Sequence, residues 1–272
     1  MQRPALTRRP RLVATDLDGT LVHSDATVSA YAREVLGRVR DAGIEVVGVT
    51  GRGPRLRGLT ASDLAVGRYL VCAQGAYVLD RETGEALFSA RLAGETVRGA
   101  VKLIEAEVGP VLVTVEDGEA DGAMLRGEAG FVWPFPDAWE ECARDALFGG
   151  DLLKVFVARP GMDVDAFLAV ARRVVPVEVA EVTYAGLGFL EVCPTGVNKA
   201  TGLAVVAERL GVAPADVLAF GDMPNDVPML LWAGHSVGVA NAHPEVLAVV
   251  DEVTGSNDDD GVAHYLAALL EL

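Results

Sequence analysis

The chain is poor in cysteine, in positive charge and in long apolar runs, and each deficit closes off a class of protein. Three cysteines occur in 272 residues, Cys72, Cys142 and Cys193, with no CxxC spacing. That argues against a disulfide framework or a structural zinc site and fits a reducing, cytoplasmic compartment. Lysine and arginine total 23 against 39 acidic residues, a formal net charge of −16. A field of that sign repels nucleic acid phosphates and anionic membrane surfaces, so neither is expected as a partner. If the ligand is itself an anion, the site has to supply local positive charge. No window approaches a membrane span. The basic segment MQRPALTRRPR lacks an apolar stretch behind it, so Arg3, Arg8, Arg9 and Arg11 are expected in a frayed, solvated tail. Repeats at periods of about 20–50 residues are missing, which argues against a solenoid.

What remains is ordinary globular composition, 51% apolar and 23% charged, on a length comfortable for two domains. Leu12-Val13-Ala14-Thr15 reads as a short buried strand. Ser29 reads as the N-cap of a helix in which Ala32, Val35, Leu36 and Val39 fall at helical spacing and which Gly43 closes. IEVVGVT and YLVCA read as further strands, with Pro54 opening a helix between them. This alternation predicts an α/β fold with a Rossmann-like, doubly wound parallel sheet.

The rhythm changes after Gln74-Gly75-Ala76. AYVLD and ALFSA read as a hairpin, followed by a helix near Glu95–Glu107, the strands VLVTVE and LLKVFVA, a helix near Asp163–Val174, and the strands VEVAEV and GFLEV. The expectation is an inserted α+β domain over 81–189 and a discontinuous core made of 1–80 and 190–272. From Asn198 the βα alternation returns. A domain inserted over the strand ends of a parallel sheet leaves a crevice, where ligands of such folds bind.

Four clusters stand at predicted strand ends: Asp16-Leu17-Asp18-Gly19-Thr20, Thr50-Gly51-Arg52, Asn198-Lys199, and Gly221-Asp222-Met223-Pro224-Asn225-Asp226. In an open α/β sheet all four share one rim. Crowded carboxylates repel unless a cation joins them, and an oxygen-only donor set suits Mg²⁺. Lys199 provides the local positive charge the acidic surface requires, and Thr50 a neutral hydroxyl. Each cluster alone reads as a turn or a helix cap; their shared rim makes a phosphate-handling site. Arg52 is placed either toward substrate or on a surface carboxylate. Asn241 reads as a turn residue, Trp133, Phe135 and Trp139 as local core, and the four histidines as bystanders.

DLDGTL, VTGR, NKATGL and GDMPNDVPML, in that order, resemble the four motifs of the haloacid dehalogenase superfamily, and the insertion resembles the large α/β cap of its Cof-type hydrolases. The resemblance implies a Mg²⁺-dependent phosphatase acting on a small phosphorylated metabolite, a sugar phosphate being the commonest guess. Asp16 would be the nucleophile and Asp18 the general acid and base. Thr50, Gly51 and Lys199 would hold the phosphoryl oxygens. Asp16, the main-chain carbonyl of Asp18, and Asp222 would bind the metal, supported by Asn225 and Asp226. Phosphotransfer of the phosphomannomutase type and a non-enzymatic phospho-ligand sensor are the competing readings, and a monomer or homodimer is expected. The chain departs from the family where Gln74-Gly75 replaces the usual Asn-Gly, and it carries no lysine after Asn241-Ala242.

Overall fold

The computed structural model describes residues 9–56, 66–118, 123–134, 139–184 and 186–271. Leu12–Thr15 (β1) is buried along its whole length, as a strand flanked on both sides and covered on both faces must be. Ala30–Asp41 (α1) begins at Ser29, whose hydroxyl accepts from the Ala32 amide at 2.9 Å, and it buries Ala32, Val35, Leu36 and Val39. Gly43, at φ +80°, turns the chain into Glu45–Val49 (β2). Pro54 opens only a three-residue 3₁₀ turn, Pro54–Leu56; most of the helix expected there falls on 57–65, outside the described residues. Tyr69–Cys72 (β3), Tyr77–Asp80 (β4) and Ala86–Ser89 (β5) follow.

The insertion contributes Leu92–Ala93 (β6), Gly94–Val108 (α2), Leu112–Glu116 (β7), Leu125–Gly127 (β8), Trp139–Glu141 (β9), Arg144–Leu147 (α3), Asp151–Leu152 (β10), Lys154–Ala158 (β11), Val164–Val174 (α4), Glu181–Tyr184 (β12) and Leu190–Cys193 (β13). The chain then returns through Lys199–Leu210 (α5), Val217–Gly221 (β14), Val227–Trp232 (α6), His235–Gly238 (β15), Pro244–Leu247 (α7), Glu252–Val253 (β16) and Gly261–Leu270 (α8).

The strands assemble into an eight-stranded sheet in the order β16-β15-β14-β1-β2-β3-β4-β5, a six-stranded sheet in the order β12-β13-β11-β7-β8-β9, and the ribbon β10-β6. In the first sheet β16 through β3 run parallel, and the β4–β5 hairpin adds two antiparallel strands. The α/β core with an inserted α+β cap is therefore present. Its seams sit elsewhere than at 80/81 and 189/190: sheet pairing puts β5 in the core and β13, Leu190–Cys193, in the cap. VEVAEV is also corrected, because residues 177–179 form a turn and the strand starts at Glu181. Pro176, just before them, has no amide to give a ladder.

Each sheet has its own apolar core. One gathers Leu12, Val13, Val47, Leu70, Leu203, Leu218 and Phe220 around the large sheet. The other gathers Val97, Ile104, Val113, Val155, Phe167 and Leu190 between the cap sheet and α2 and α4. Trp133 and Trp139 join a third, smaller cluster with Phe131, Phe156 and Phe189, as expected of local core; Phe135 lies outside the described residues. Among the described residues no helix is long and apolar enough to cross a membrane.

Candidate active site

Asp16 follows β1 directly, and its amide donates to the Phe220 carbonyl of β14 at 3.0 Å. That bond holds it over the carboxyl edge of the sheet between the two central strands. Lys199 opens α5. Asn198 caps the helix by accepting from the amides of Ala200 and Thr201, while the Thr201 hydroxyl accepts from the Asn198 amide. The start of the helix is wedged against the β3–β4 turn. Gly75 adopts φ +94°, and a Cβ there would lie 2.6 Å from the Asn198 carbonyl carbon; a Cβ on Gly202 would lie 2.9 Å from Gly75 Cα. Only glycine permits both the left-handed turn and this contact.

From there the Lys199 Nζ donates to Asp16 Oδ1 and to Asp226 Oδ1, each at 2.5 Å. Asp226 uses its other oxygen to accept from the amides of Asp222 and Met223, at 3.0 and 2.9 Å, which folds the loop back on itself. Asp222 accepts from the Thr20 hydroxyl at 2.7 Å. Gly19, at φ +83°, lets the first loop pass Asp222; a Cβ there would stand 2.6 Å from its carboxylate. One oxygen each of Asp16, Asp222 and Asp226 lies within 4.8 Å of the other two, and all three residues are buried. Lys199 is 1% exposed.

The electrostatics follow from that crowding. Burial, partly offset by Lys199 and reinforced by Asp226 and Asp222, pushes Asp16 well above the usual carboxylate range. Burial and then Asp226 push Asp222 up to about 7. Burial alone would lower the Lys199 ammonium, but Asp16 and Asp226 outweigh it and hold it above its ordinary value. One ammonium therefore faces three carboxylates, a deficit of positive charge that a divalent cation is suited to fill. The buried Oδ1 of Asn225 has no hydrogen-bond donor among the described residues, which adds an open oxygen beside the cluster. The residues present fit a hard, oxygen-seeking ion.

This supports a sign-specific prediction. Without a cation, a raised carboxylate weakens folding as pH climbs from about 4 to about 7, because the unfolded chain sheds its proton first. Cation binding needs the ionised form, so the stabilisation by Mg²⁺ in a thermal-shift titration is expected to grow over that same window. The half-saturating concentration should fall about tenfold per pH unit below 7 and level off above about 8. A profile flat from pH 5.5 to 7 would contradict the assignment.

The remaining residues singled out in the sequence fall around this cluster. Thr50 is buried at the end of β2, and its hydroxyl accepts from the Arg52 amide at 3.0 Å. The Gly51 carbonyl accepts from Lys154 of the cap at 2.5 Å. Arg52 takes the second of its two expected roles, pairing with a carboxylate, and that carboxylate belongs to the site. It donates through Nε and NH2 to Asp18 at 2.9 and 2.5 Å, so it grips the second aspartate of the first motif. The Asp18 carboxylate is half exposed and faces Arg52, not the buried trio. Asn241 does more than turn the chain: its amide donates to the Gly19 carbonyl at 2.8 Å, and its oxygen accepts from Asn257. The histidines are engaged elsewhere, His23 with Asp260, His235 with Asp251 and Glu252, His243 near Asp165, and His264 against Tyr31. Arg11, expected in solvent, donates to the Gly211 carbonyl at 2.9 Å.

Sequence reasoning missed a second layer. Gln74, at φ +58°, accepts from Asn225 Nδ2 at 3.0 Å and donates to Glu191 on β13. Glu191 pairs with Lys154 at 2.6 Å. Lys154 stands opposite Glu116 across the β7–β11 ladder, and Glu116 lies 3.5 Å from Arg55 of the core. All five side chains are buried. Gln74-Gly75 was the one clue, as the point where the chain departs from the family pattern. The extra methylene of glutamine carries its amide to the cap.

Fold and site together define an α/β enzyme whose acidic cluster lies under an inserted cap. A family model described as haloacid dehalogenase-like hydrolase matches residues 13–266, and the chain belongs to that family. It is 28% identical to the 5-amino-6-(5-phospho-D-ribitylamino)uracil phosphatase YwtE of Bacillus subtilis, over 96% of this chain and 98% of that one. It is likewise 28% identical to an HMP-PP phosphatase of Cronobacter sakazakii, over 96% of each. The structure of a haloacid dehalogenase-like hydrolase from Bacteroides thetaiotaomicron, 26% identical, covers 96% of this chain and all of its own with a TM-score of 0.76.

Proposed function

We propose that this phosphoric monoester hydrolase releases inorganic phosphate from a small, polyhydroxylated phosphate monoester, with Mg²⁺ as cofactor. The observation that carries the reading is Lys199 bridging Asp16 and Asp226 beside Asp222, buried under the cap. Asp16 attacks phosphorus; a carboxylate–phosphorus bond forms as the bond to the leaving oxygen breaks. Asp18 gives its proton to that oxygen, then takes one from the water that hydrolyses the acyl phosphate, so one group serves both half-reactions. Arg52 keeps Asp18 at the mouth of the site between those roles. Lys199, the Thr50 hydroxyl and the Gly51 backbone hold the transferring oxygens, whose charge in a loose transition state makes positioning and electrostatics the main source of rate. Asp16, Asp222 and the Asp18 main-chain carbonyl would hold Mg²⁺, which neutralises phosphoryl charge when bound.

The leaving-group side of the site is the polar layer of the cap. Burial, only partly offset by Arg55 and Lys154, pushes Glu116 up to about 7, and the Arg55 guanidinium stands 3.5 Å from one of its carboxylate oxygens. A buried acceptor beside ammonium and amide donors suits hydroxyl groups, which both donate and accept. The phospho-ribityl chain in the name of the Bacillus subtilis relative is of that kind. Phosphotransfer is less well supported. A second phosphate would need a cluster of free cations on the cap, yet of Arg98, Lys102, Arg126, Arg144 and Lys154 all but the exposed Lys102 pair with carboxylates.

A phosphatase screen over sugar and polyol phosphates, nucleotides and cofactor phosphates, with and without Mg²⁺, tests this. Polyol or sugar phosphates are expected to lead, and EDTA is expected to abolish turnover. Glu116→Gln is expected to raise KM for them about tenfold with a smaller change in kcat, since it removes binding remote from phosphorus. Equal activity of wild type and Glu116→Gln on every substrate would remove the cap layer from recognition.

A further inference from the structure

The buried polar layer between cap and core has a direction. It starts at Glu191 on β13, whose Oε1 accepts from Lys154 of β11 at 2.6 Å. The other oxygen of Glu191 accepts from Gln74 Nε2. Gln74 Oε1 accepts in turn from Asn225 Nδ2 at 3.0 Å. At the far end, Asn225 Oδ1 is buried and meets no donor among the described residues. Lys154 and Glu191 stand on strands of the cap sheet, while Gln74 and Asn225 stand in turns of the core.

A carboxamide turned end for end keeps its shape, so packing alone does not decide which end is nitrogen. Here the ion pair decides it. A carboxylate only accepts, so Gln74 has to offer Glu191 its nitrogen. Its oxygen is then left for Asn225, which has to answer with its own nitrogen. Turning Gln74 over would set two acceptors face to face at Glu191. The amide is also tightly enclosed: Gln74 is 2% exposed, and a Cβ on Gly51 would stand 2.7 Å from its Nε2.

We propose that Gln74 is a positioning residue through which the cap carboxylate Glu191 keeps Asn225 Oδ1 turned toward the Mg²⁺ site as an acceptor. Asn225 lies in the turn Pro224–Asp226, beside Asp226 and three residues from Asp222. With Lys199 it lines a cavity of about 130 Å³. Mg²⁺ retains several waters when bound, and an oxygen at the end of the chain can accept from one of them. A nitrogen there would oppose it. This role rests on the phosphatase reading in one respect, the presence of Mg²⁺.

The test is the half-saturating Mg²⁺ concentration, read from the melting temperature as metal-free protein is titrated at about pH 8. Glu191→Gln can donate to Gln74, which lets both amides turn over and brings a nitrogen to the metal side. Gln74→Met cuts the chain and leaves the Lys154–Glu191 pair intact. Each is expected to raise the half-saturating concentration about tenfold or more, as loss of a group that orients a metal's surroundings does. Added to Gln74→Met, Glu191→Gln should change nothing further. A plain loss of cap charge would act equally in both backgrounds, and that result overturns the proposal. So does a value for Gln74→Met within about twofold of the wild type, which decides the question even where Glu191→Gln does not fold. A wild type that Mg²⁺ does not stabilise removes the cofactor from the phosphatase reading, and this role with it. A wild type that Mg²⁺ stabilises, with variants that match it, removes this role alone.

Discussion

Asp16→Asn is expected to lose about 10⁴-fold or more in turnover while keeping its fold. The carboxamide has the shape of the carboxylate, and Lys199 retains Asp226 as a partner at 2.5 Å. The variant also relieves repulsion within the buried trio, so its melting temperature without cation should equal or exceed that of the wild type. What the carboxamide lacks is the charged oxygen that attacks phosphorus. Acid quenching during turnover of a radiolabelled substrate should trap phosphate on the wild-type chain and none on the variant. Phosphate release by Asp16→Asn at near wild-type rate would show that another group attacks.

Lys199→Ala is expected to damage stability and catalysis together. The ammonium is the cation nearest to three buried carboxylates, two of which it touches. Removing one partner from a buried ion pair costs about 3–5 kcal/mol, a fall in Tm on the order of 10 °C for a chain of this length. The loss should depend on pH in a stated direction. With the ammonium gone the carboxylates rise further above their unfolded values, so the variant is most stable where they are protonated and weakens as pH rises toward and past 7. Saturating Mg²⁺ should recover part of the Tm, since a divalent ion replaces the missing charge, but turnover should remain down by about 10²–10³-fold, the scale of losing one transition-state donor. A Tm equal to wild type at pH 8 without Mg²⁺ would mean the cluster does not rely on this cation.

The parts legible in the sequence were those with a local signature. Ser29, Gly43, Asp163 and Asn198 mark helix ends because capping is chemistry between residues two to four apart. The strands of the parallel core are short apolar runs, and their ends carry the motif residues because strand order puts every carboxyl end on one rim. The trio Asp16, Asp222, Asp226 and its ammonium come together for that reason. The parts that stayed hidden depend on pairing across long separations. Nothing in ALFSA says that it extends the core sheet, and nothing in LRG or WEE marks a strand, since strands of three residues have too few alternations to register. Arg52 was ambiguous because a guanidinium has many carboxylates within reach, and only the fold selects Asp18. The layer of Gln74, Glu116, Lys154 and Glu191 joins three cap strands to one core turn. Each member taken singly looks like an ordinary strand residue.

The wedge between Gly75 and Asn198 bears on how accurately the cation is aimed. A lysine stem of four methylenes is floppy, and its rotamers alone would scatter the amine over several ångströms. Here the anchor point of that stem is set by two stretches of main chain in hard contact, with no side chain between them to compress or tilt. The tolerance of the chemistry is thereby delegated to a pair of glycines, Gly75 and Gly202, that never meet the reacting groups.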